Sequence, residues 1–244
     1  MARTAVVTGA SAGIGAATAR RLAQEGFDLV LGARRVDSLE KVAADCGGRA
    51  LALDVTDAGS VERFAAELDD VSVLINNAGL ALGLGPLSDS SDDDLVTMWE
   101  TNVLGVIRMT RALLPKIEAS GAGHIVNVGS IAGRWAYPGG GGYTTTKHSL
   151  RVLTETLRLE LVGKPVRISE VAPGMVETEF SMVRFKGDAE AAAKVYEGMK
   201  ALEAEDIADC IAWVVTRPAH VNIDEVVIKP RDQAHWSSIA RRRD

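Results

Sequence analysis

A chain of 244 residues is about 1.6 times the usual domain length, and with 47% hydrophobic against 25% charged residues it can bury a sizeable core, which excludes a largely disordered protein. The 27 Lys and Arg against 33 Asp and Glu leave a net charge of −6, a balance that argues against a nucleic-acid binder or a protein of anionic membrane surfaces. Two cysteines, Cys46 and Cys210, are too few and too far apart for a disulfide framework or a zinc site, and read as buried thiols in a reducing compartment.

From Met1-Ala2-Arg3 the chain runs directly into the apolar Thr4 to Val7 and meets Gly9 at once, so no signal-peptide core fits. No window approaches eighteen apolar residues, and the expectation is a soluble cytoplasmic protein. Short aliphatic runs then recur at Ala5-Val6-Val7, Leu29-Val30-Leu31, Ala50 to Leu53, Val71 to Ile75, His124 to Val128, Val166 to Val171 and Val226-Val227-Ile228. Longer stretches with helical spacing lie between them: Ile14 to Gln24, Val61 to Leu68, Asp94 to Ile117 (two helices within Asp92 to Ile117), Tyr143 to Leu161 and Asp206 to Val215. Runs that are apolar on both faces suit parallel strands covered by helices on each side. The alternation therefore predicts an α/β fold, a Rossmann-like doubly wound parallel sheet of about seven strands, in a single domain over 1–244. Gly139 to Gly142 reads as a loop. Residues 174–204, charged and Ala-rich, interrupt the rhythm and read as a substrate lid. The run Arg241-Arg242-Arg243 reads as a solvated tail.

The first strand ends in Thr8-Gly9-Ala10-Ser11-Ala12-Gly13-Ile14-Gly15, with a helix immediately behind it. Glycines there tolerate positive φ and let a pyrophosphate approach backbone N–H groups at a helix N-terminus; a tight turn without a ligand is the plainer alternative. Nineteen and twenty residues after Gly15 come Arg34 and Arg35 at the end of the second strand. A guanidinium there suits the 2′-phosphate of NADP, whereas a carboxylate would suit the ribose of NAD. The pair favours NADP, with nearby Asp37 as a possible ribose acid in the other reading.

Tyr143 and Lys147, four residues apart at the start of a predicted helix, share one face. A nearby ammonium stabilises phenolate, so Lys147 is expected to lower the pKa of Tyr143 and fit it for proton exchange with an alcohol or ketone. A snorkelling surface pair is the alternative. Ser130 ends the fifth strand, at the sheet edge where open α/β proteins bind ligands, and its hydroxyl could hold a substrate oxygen beside Tyr143.

Together, Thr8 to Gly15, Asn76-Asn77-Ala78-Gly79, Asn102, Ser130, Tyr143, Lys147 and Pro173-Gly174 resemble the short-chain dehydrogenase/reductase family from residue 4 to about 230. The resemblance implies Tyr143 as general acid/base and Ser130 as the group that polarises the substrate oxygen. It implies that Lys147 lowers the Tyr143 pKa and bonds the nicotinamide ribose, and that Asn102 holds a water in a relay to Lys147. For the cofactor it implies Gly9, Ser11, Gly13, Ile14 and Gly15 near the pyrophosphate and Asp54 with Val55 by the adenine. Asn76 and Gly79 fall by the ribose, and Pro173, Gly174, Val176 and Thr178 on the nicotinamide side. As plainer readings, Asp54 and Thr178 could be helix caps and Asn76 a satisfied turn residue. The chain departs from the family pattern at Ala12, where NADP-using members often place a basic residue, and at Thr144-Thr145-Thr146.

A narrower resemblance, to the NADP-dependent 3-hydroxy acid dehydrogenases, rests on Asn77 to Gly83, Thr178 to Ser181, Val183 to Asp188 and Pro218 to Asn222. It implies small acids such as serine, or malonic semialdehyde, as substrates, with Arg184 or Arg134 to bind the carboxylate and Trp135, Tyr137 and Phe185 as pocket walls. A bulkier ketone or secondary alcohol, and a non-catalytic NADP-binding regulator, stay open as alternatives. The family likeness also implies a homotetramer formed through the two long helices. The histidines show no ligand-like clustering, so no catalytic metal is expected.

Overall fold

The structure is a computed structural model that describes residues 3–242, so Arg243 of the basic terminal run lies outside the described residues. Seven strands form one sheet: β1 (Thr4–Thr8), β2 (Asp28–Ala33), β3 (Arg49–Ala52), β4 (Val73–Asn76), β5 (Gly123–Val128), β6 (Val166–Pro173) and β7 (Glu225–Ile228). Their order is β3-β2-β1-β4-β5-β6-β7, and every pairing is parallel. The β-branched runs explain this arrangement: β4, β5 and β6 are buried along their whole length, as strands covered on both faces must be.

Alternate residues of each strand feed opposite cores. Ala5, Val7, Leu29 and Leu31 join a cluster with Leu22, Leu39, Ile207 and Ile211, from α1 (Gly13–Gln24), α2 (Val36–Cys46) and α9 (Ala204–Val215). Val6, Val30, Leu74 and Ile125 join the other, with Phe64, Met109, Leu113 and Leu161. That face carries α3 (Ala58–Ala66), α5 (Gly105–Ala119) and α6 (Gly141–Glu160).

α4 (Asp92–Trp99) passes into α5 through a wider turn over 100–104, in which the Gly105 N–H bonds back to the carbonyl of Glu100. Such a turn shifts the helix face by one residue, and Asn102 lies within it. Gly141 and Gly142, expected as loop, form the first turn of α6, where a Cβ on Gly142 would meet Met98 Cε at 2.5 Å.

Between β6 and α9 the chain leaves the sheet and forms α7 (Phe180–Arg184) and α8 (Ala189–Lys194). The excursion is pinched at its base, where Val176 and Leu202 form a parallel bridge. Beyond β7 the chain crosses back toward the cleft and is held there by Gln233 Oε1 accepting from the Met175 N–H and by the Arg242 N–H bonding Gly198 O. Cys46 and Cys210 are free and half-buried rather than buried. Among the described residues no helix is long and apolar enough to cross a membrane.

Candidate active site

A cavity of about 690 Å³ runs along the C-terminal ends of the strands, from the turn after β1 to the start of α6. It straddles β1 and β4, where the sheet order reverses, the position at which open α/β sheets bind ligands. Of the residues singled out in the sequence, Gly9, Ser11, Gly13, Ile14, Arg34, Arg35, Asp54, Val55 and Gly79 line its first half. Ser130, Tyr143, Lys147, Pro173, Gly174, Val176, Thr178 and Arg184 line the second.

The turn after β1 is shaped by close approach. Gly9 has φ +65°, and a Cβ there would lie 2.9 Å from Ala78 Cα, so only glycine fits without displacing the backbone. α1 begins after Ala12, which offers no side-chain cap, leaving the first N–H groups of the helix facing the cavity. Gly15 does not line the cavity; it lies beneath the turn, where a Cβ would meet Asn77 Nδ2 at 2.5 Å.

At the end of β2, Arg35 donates to Ser11 Oγ (3.3 Å) and pairs with Glu179 (2.9 Å) in the excursion, both side chains more than half exposed. Arg34 lies near Asp54. Burial acts to raise the Asp54 pKa, but hydrogen bonds from Thr56 and the charge of Arg34 hold it below its ordinary value. Asp54 Oδ1 accepts from the Thr56 N–H and hydroxyl at 2.9 and 2.7 Å.

Asn76 was expected by the ribose, and the structure corrects this. Its amide donates to Asn127 Oδ1 (2.9 Å) and Thr110 Oγ1 (3.3 Å) inside the molecule, and Asn77, Ala78 and Gly79 form the wall instead. Alternation along a strand explains the error: adjacent residues at the end of β4 face opposite ways. Asn102 is also behind the wall. Its side chain docks the 79–82 loop, accepting from the Leu80 N–H (2.8 Å) and donating to Leu80 O (2.8 Å) and Thr146 Oγ1 (3.0 Å).

Tyr143 and Lys147 come from the first two turns of α6, and Ser130 from the end of β5; all three are buried. Tyr143 packs among Leu80, Met98 and Ala132 with Phe180 against its ring. That burial pushes its phenol above the ordinary value, with Tyr137 adding to the rise, while the hydrogen bond to Ser130 and the charge of Arg184 oppose it. The sequence had implied a lowering by Lys147. In the structure the Lys147 ammonium is 5.9 Å from the Tyr143 ring centre and donates to Val128 O at 2.8 Å. Burial pushes Lys147 down to about 8.

Arg184, the last residue of α7, lies 5.7 Å from the ring centres of both Tyr143 and Tyr137. It donates to the Tyr137 hydroxyl (3.1 Å) and Gly83 O (3.1 Å). Arg134, the other candidate for a substrate carboxylate, does not line the cavity: it is held by Glu170, Glu225 and the Ser130 carbonyl, which leaves it no free edge. Trp135, Tyr137 and Phe185 line the cavity as expected.

Sequence reasoning missed the final segment. Gln233, Trp236, Ile239 and Arg241 complete the cavity wall, with Trp236 5.7 Å from Tyr137 and His235 4.7 Å from Trp135, ring centre to ring centre. The available signal was a His-Trp pair beyond the last strand, since a large aromatic there needs a surface to cover. His124 bonds Ser169 in the sheet interior and His148 bonds Thr144 O on its own helix. Among the described residues no group of three His, Cys, Asp or Glu side chains is placed to hold a metal.

The profile of a family described as short chain dehydrogenase matches residues 3–189. An oxidoreductase of Mycobacterium tuberculosis H37Rv, described as uncharacterized, is 56% identical over 235 residues, covering 96% of this chain and 94% of its own. An NADP-dependent 3-hydroxy acid dehydrogenase of Salmonella typhi is 45% identical over 236 residues, with 94% and 95% covered. Among solved structures, the closed form of a serine dehydrogenase complexed with NADP+ superposes with a TM-score of 0.93 at 40% identity, covering 99% of this chain and 100% of the other.

Proposed function

The chain belongs to the short-chain dehydrogenase family and is an NAD(P)-dependent oxidoreductase acting on CH–OH groups; from that premise we propose that it uses NADP to interconvert a small 3-hydroxy acid and its semialdehyde. The observation that carries the substrate class is Arg184, a guanidinium beside the Tyr143 ring on a wall that is otherwise largely aromatic and aliphatic. A cation so near the reacting phenol argues for an anion only a few atoms from the reacting oxygen. Relatives that act on 3-hydroxy acids and serine support the same reading.

The cleft fits a dinucleotide. The uncapped N-terminus of α1 and the Gly9 cradle suit a pyrophosphate, and Arg34 and Arg35 at the end of β2 suit a 2′-phosphate, with Arg35 exchanging Glu179 for the phosphate. When bound, NADP supplies the hydride donor or acceptor. Ser130 then holds the substrate oxygen, and Tyr143 gives up or takes its proton. The Lys147 ammonium favours phenolate at the moment Tyr143 is deprotonated, and the apolar cage around Tyr143 excludes water. Asn102 sets the loop at 79–82 against α6, the positioning counterpart of the relay expected from the sequence. We read 174–204 as a lid and the chain as one domain. By family likeness it forms a cytoplasmic homotetramer through α5 and α6, and the exposed Val152 and Leu159 on α6 support that pairing.

The test is a steady-state panel of 3-hydroxy acids beside neutral diols of matched length, with NADP+ and NAD+. Serine or 3-hydroxypropionate should turn over with NADP+ well above the diols. Equal activity on neutral substrates would favour the second reading, a bulkier ketone or secondary alcohol, to which the aromatic wall of Tyr137, Phe180 and Trp236 lends support.

A further inference from the structure

Behind the cavity lies a buried charge cluster that none of these roles uses. Glu170, in the middle of β6, is 2% exposed, and its carboxylate accepts from both Nη atoms of Arg134 at 3.2 and 3.3 Å. Arg134 also donates to Glu225 of β7 (2.8 Å) and to the Ser130 carbonyl (3.1 Å). A carboxylate in the interior of a parallel sheet costs several kcal/mol unless paired, and an apolar residue of similar size would be no worse for stability. The cluster therefore calls for a reason other than stability.

Its position supplies one. A Cβ on Gly129 would lie 1.8 Å from Glu170 Oε1, so the carboxylate presses against the backbone of residue 129. The residue before it, Val128, accepts from the Lys147 ammonium at 2.8 Å; the residue after it is Ser130. Glu170 thus occupies the underside of the loop whose two ends hold Lys147 and present the Ser130 hydroxyl. Glu170 from β6 is the charge that acts on Lys147, with the Tyr143 phenol nearby on its own helix, and Arg134 and Glu225 act in turn on Glu170. Toward Gly79 the neighbour of the ammonium is the neutral amide of Asn102.

We propose that Glu170 is a positioning residue whose buried carboxylate, fixed by Arg134, is the counter-charge that keeps Lys147 cationic at working pH. Burial drives Lys147 toward the neutral amine, and the charge of Glu170 opposes this. Burial likewise raises the Glu170 pKa, and the fork of Arg134 opposes that in turn. The catalytic consequence rests on the proposed role of Lys147 as a working cation.

The test follows the Lys147 titration by 13C NMR of lysine-labelled protein, assigned through Lys147→Arg, beside kcat/KM against pH for NADPH-linked reduction of malonic semialdehyde. Glu170→Gln should lower the Lys147 midpoint by about one pH unit, and the alkaline limb of kcat/KM should move down with it. Glu225→Gln, which removes the outer, half-exposed carboxylate, should leave the midpoint in place. If Glu170→Gln does not fold, the pair Glu170→Gln with Arg134→Met, which removes both buried charges together, should still lower it. An unchanged midpoint, or an equal shift in Glu225→Gln, overturns the proposal. A midpoint that falls while the kinetic limb stays supports the counter-charge and overturns the reading of Lys147 as the working cation.

Discussion

At the scale of single residues, Tyr143 carries the proposed chemistry, and its environment sets the cost. Its phenol stands above its ordinary pKa because its apolar neighbours penalise phenolate, so in the proposed mechanism proton transfer relies on Ser130 and on a charged Lys147. Tyr143→Phe should lower kcat by about 10²–10⁴-fold while leaving the NADP+ dissociation constant, read by fluorescence titration, nearly unchanged. Because burial holds Lys147 at about 8 and the proposed working form is protonated, raising the pH through that value removes the cation. Carbonyl reduction should therefore decline above about pH 8 in a kcat/KM profile. Glu179 pairs with Arg35 and would compete for it with the 2′-phosphate in the proposed cofactor mode. Glu179→Gln should tighten NADP+ binding by up to about fivefold, the scale of an exposed ion pair, with little effect on NAD+, and calorimetric titration of both cofactors measures it. That Tyr143, Lys147 and Ser130 share one cavity was legible from the family resemblance, since the Tyr–Lys spacing alone fits a surface pair equally well. The direction in which Asn76 and Arg134 point was not, because it depends on which partner each side chain finds across the sheet.

At the scale of elements, the turn from β1 to α1 is held by hydrogen bonds from the Gly9 N–H to Gly32 O and from the Asn77 amide to Thr8 O and Gly9 O, and by the close approach of Gly9 to Ala78. Gly9→Ala would place a methyl against the backbone of Ala78 at a positive φ. It should cost about 1–2 kcal/mol of stability in urea melts and weaken cofactor binding more than a surface change of equal stability cost. The parallel strands were readable from their aliphatic runs. α2 was not picked out, because its buried face is only Leu39, Val42 and Ala43 in a largely polar segment that Gly47 closes in the left-handed conformation. The four glycines at 139–142 carry no helical signal; Gly141 and Gly142 nonetheless open α6, packed so closely that a side chain at Gly142 would strike Leu95 and Met98. The segment after β7 has no periodicity at all, and its place over the cleft depends on contacts such as Gln233 with Met175, distant in sequence.

At the scale of the whole molecule, the sheet buries polar groups that tie stability to pH. His124 of β5 is fully buried, bonded to Ser169 of β6, and burial together with the charge of Arg167 holds its pKa well below the ordinary value. The unfolded chain binds that proton near pH 6.5 and the folded one does not, so stability is complete above about 6.5 and declines as the pH falls below it. Urea melts at pH 7.5 and 5.5 should show a smaller loss in His124→Gln than in the parent protein. The alternation of strands and helices was enough to give one sheet with its ligand edge, but the proposed substrate class rests on a contact between segments far apart in the chain, Arg184 over Tyr143. The most direct measurement is the ratio of kcat/KM for 3-hydroxypropionate over 1,3-propanediol, with NADP+, in the parent protein and in Arg184→Met. Losing the carboxylate's partner should collapse the ratio by about thirtyfold or more, the equivalent of ~2 kcal/mol; a ratio unchanged by the substitution would contradict the assignment of an acid substrate to this site.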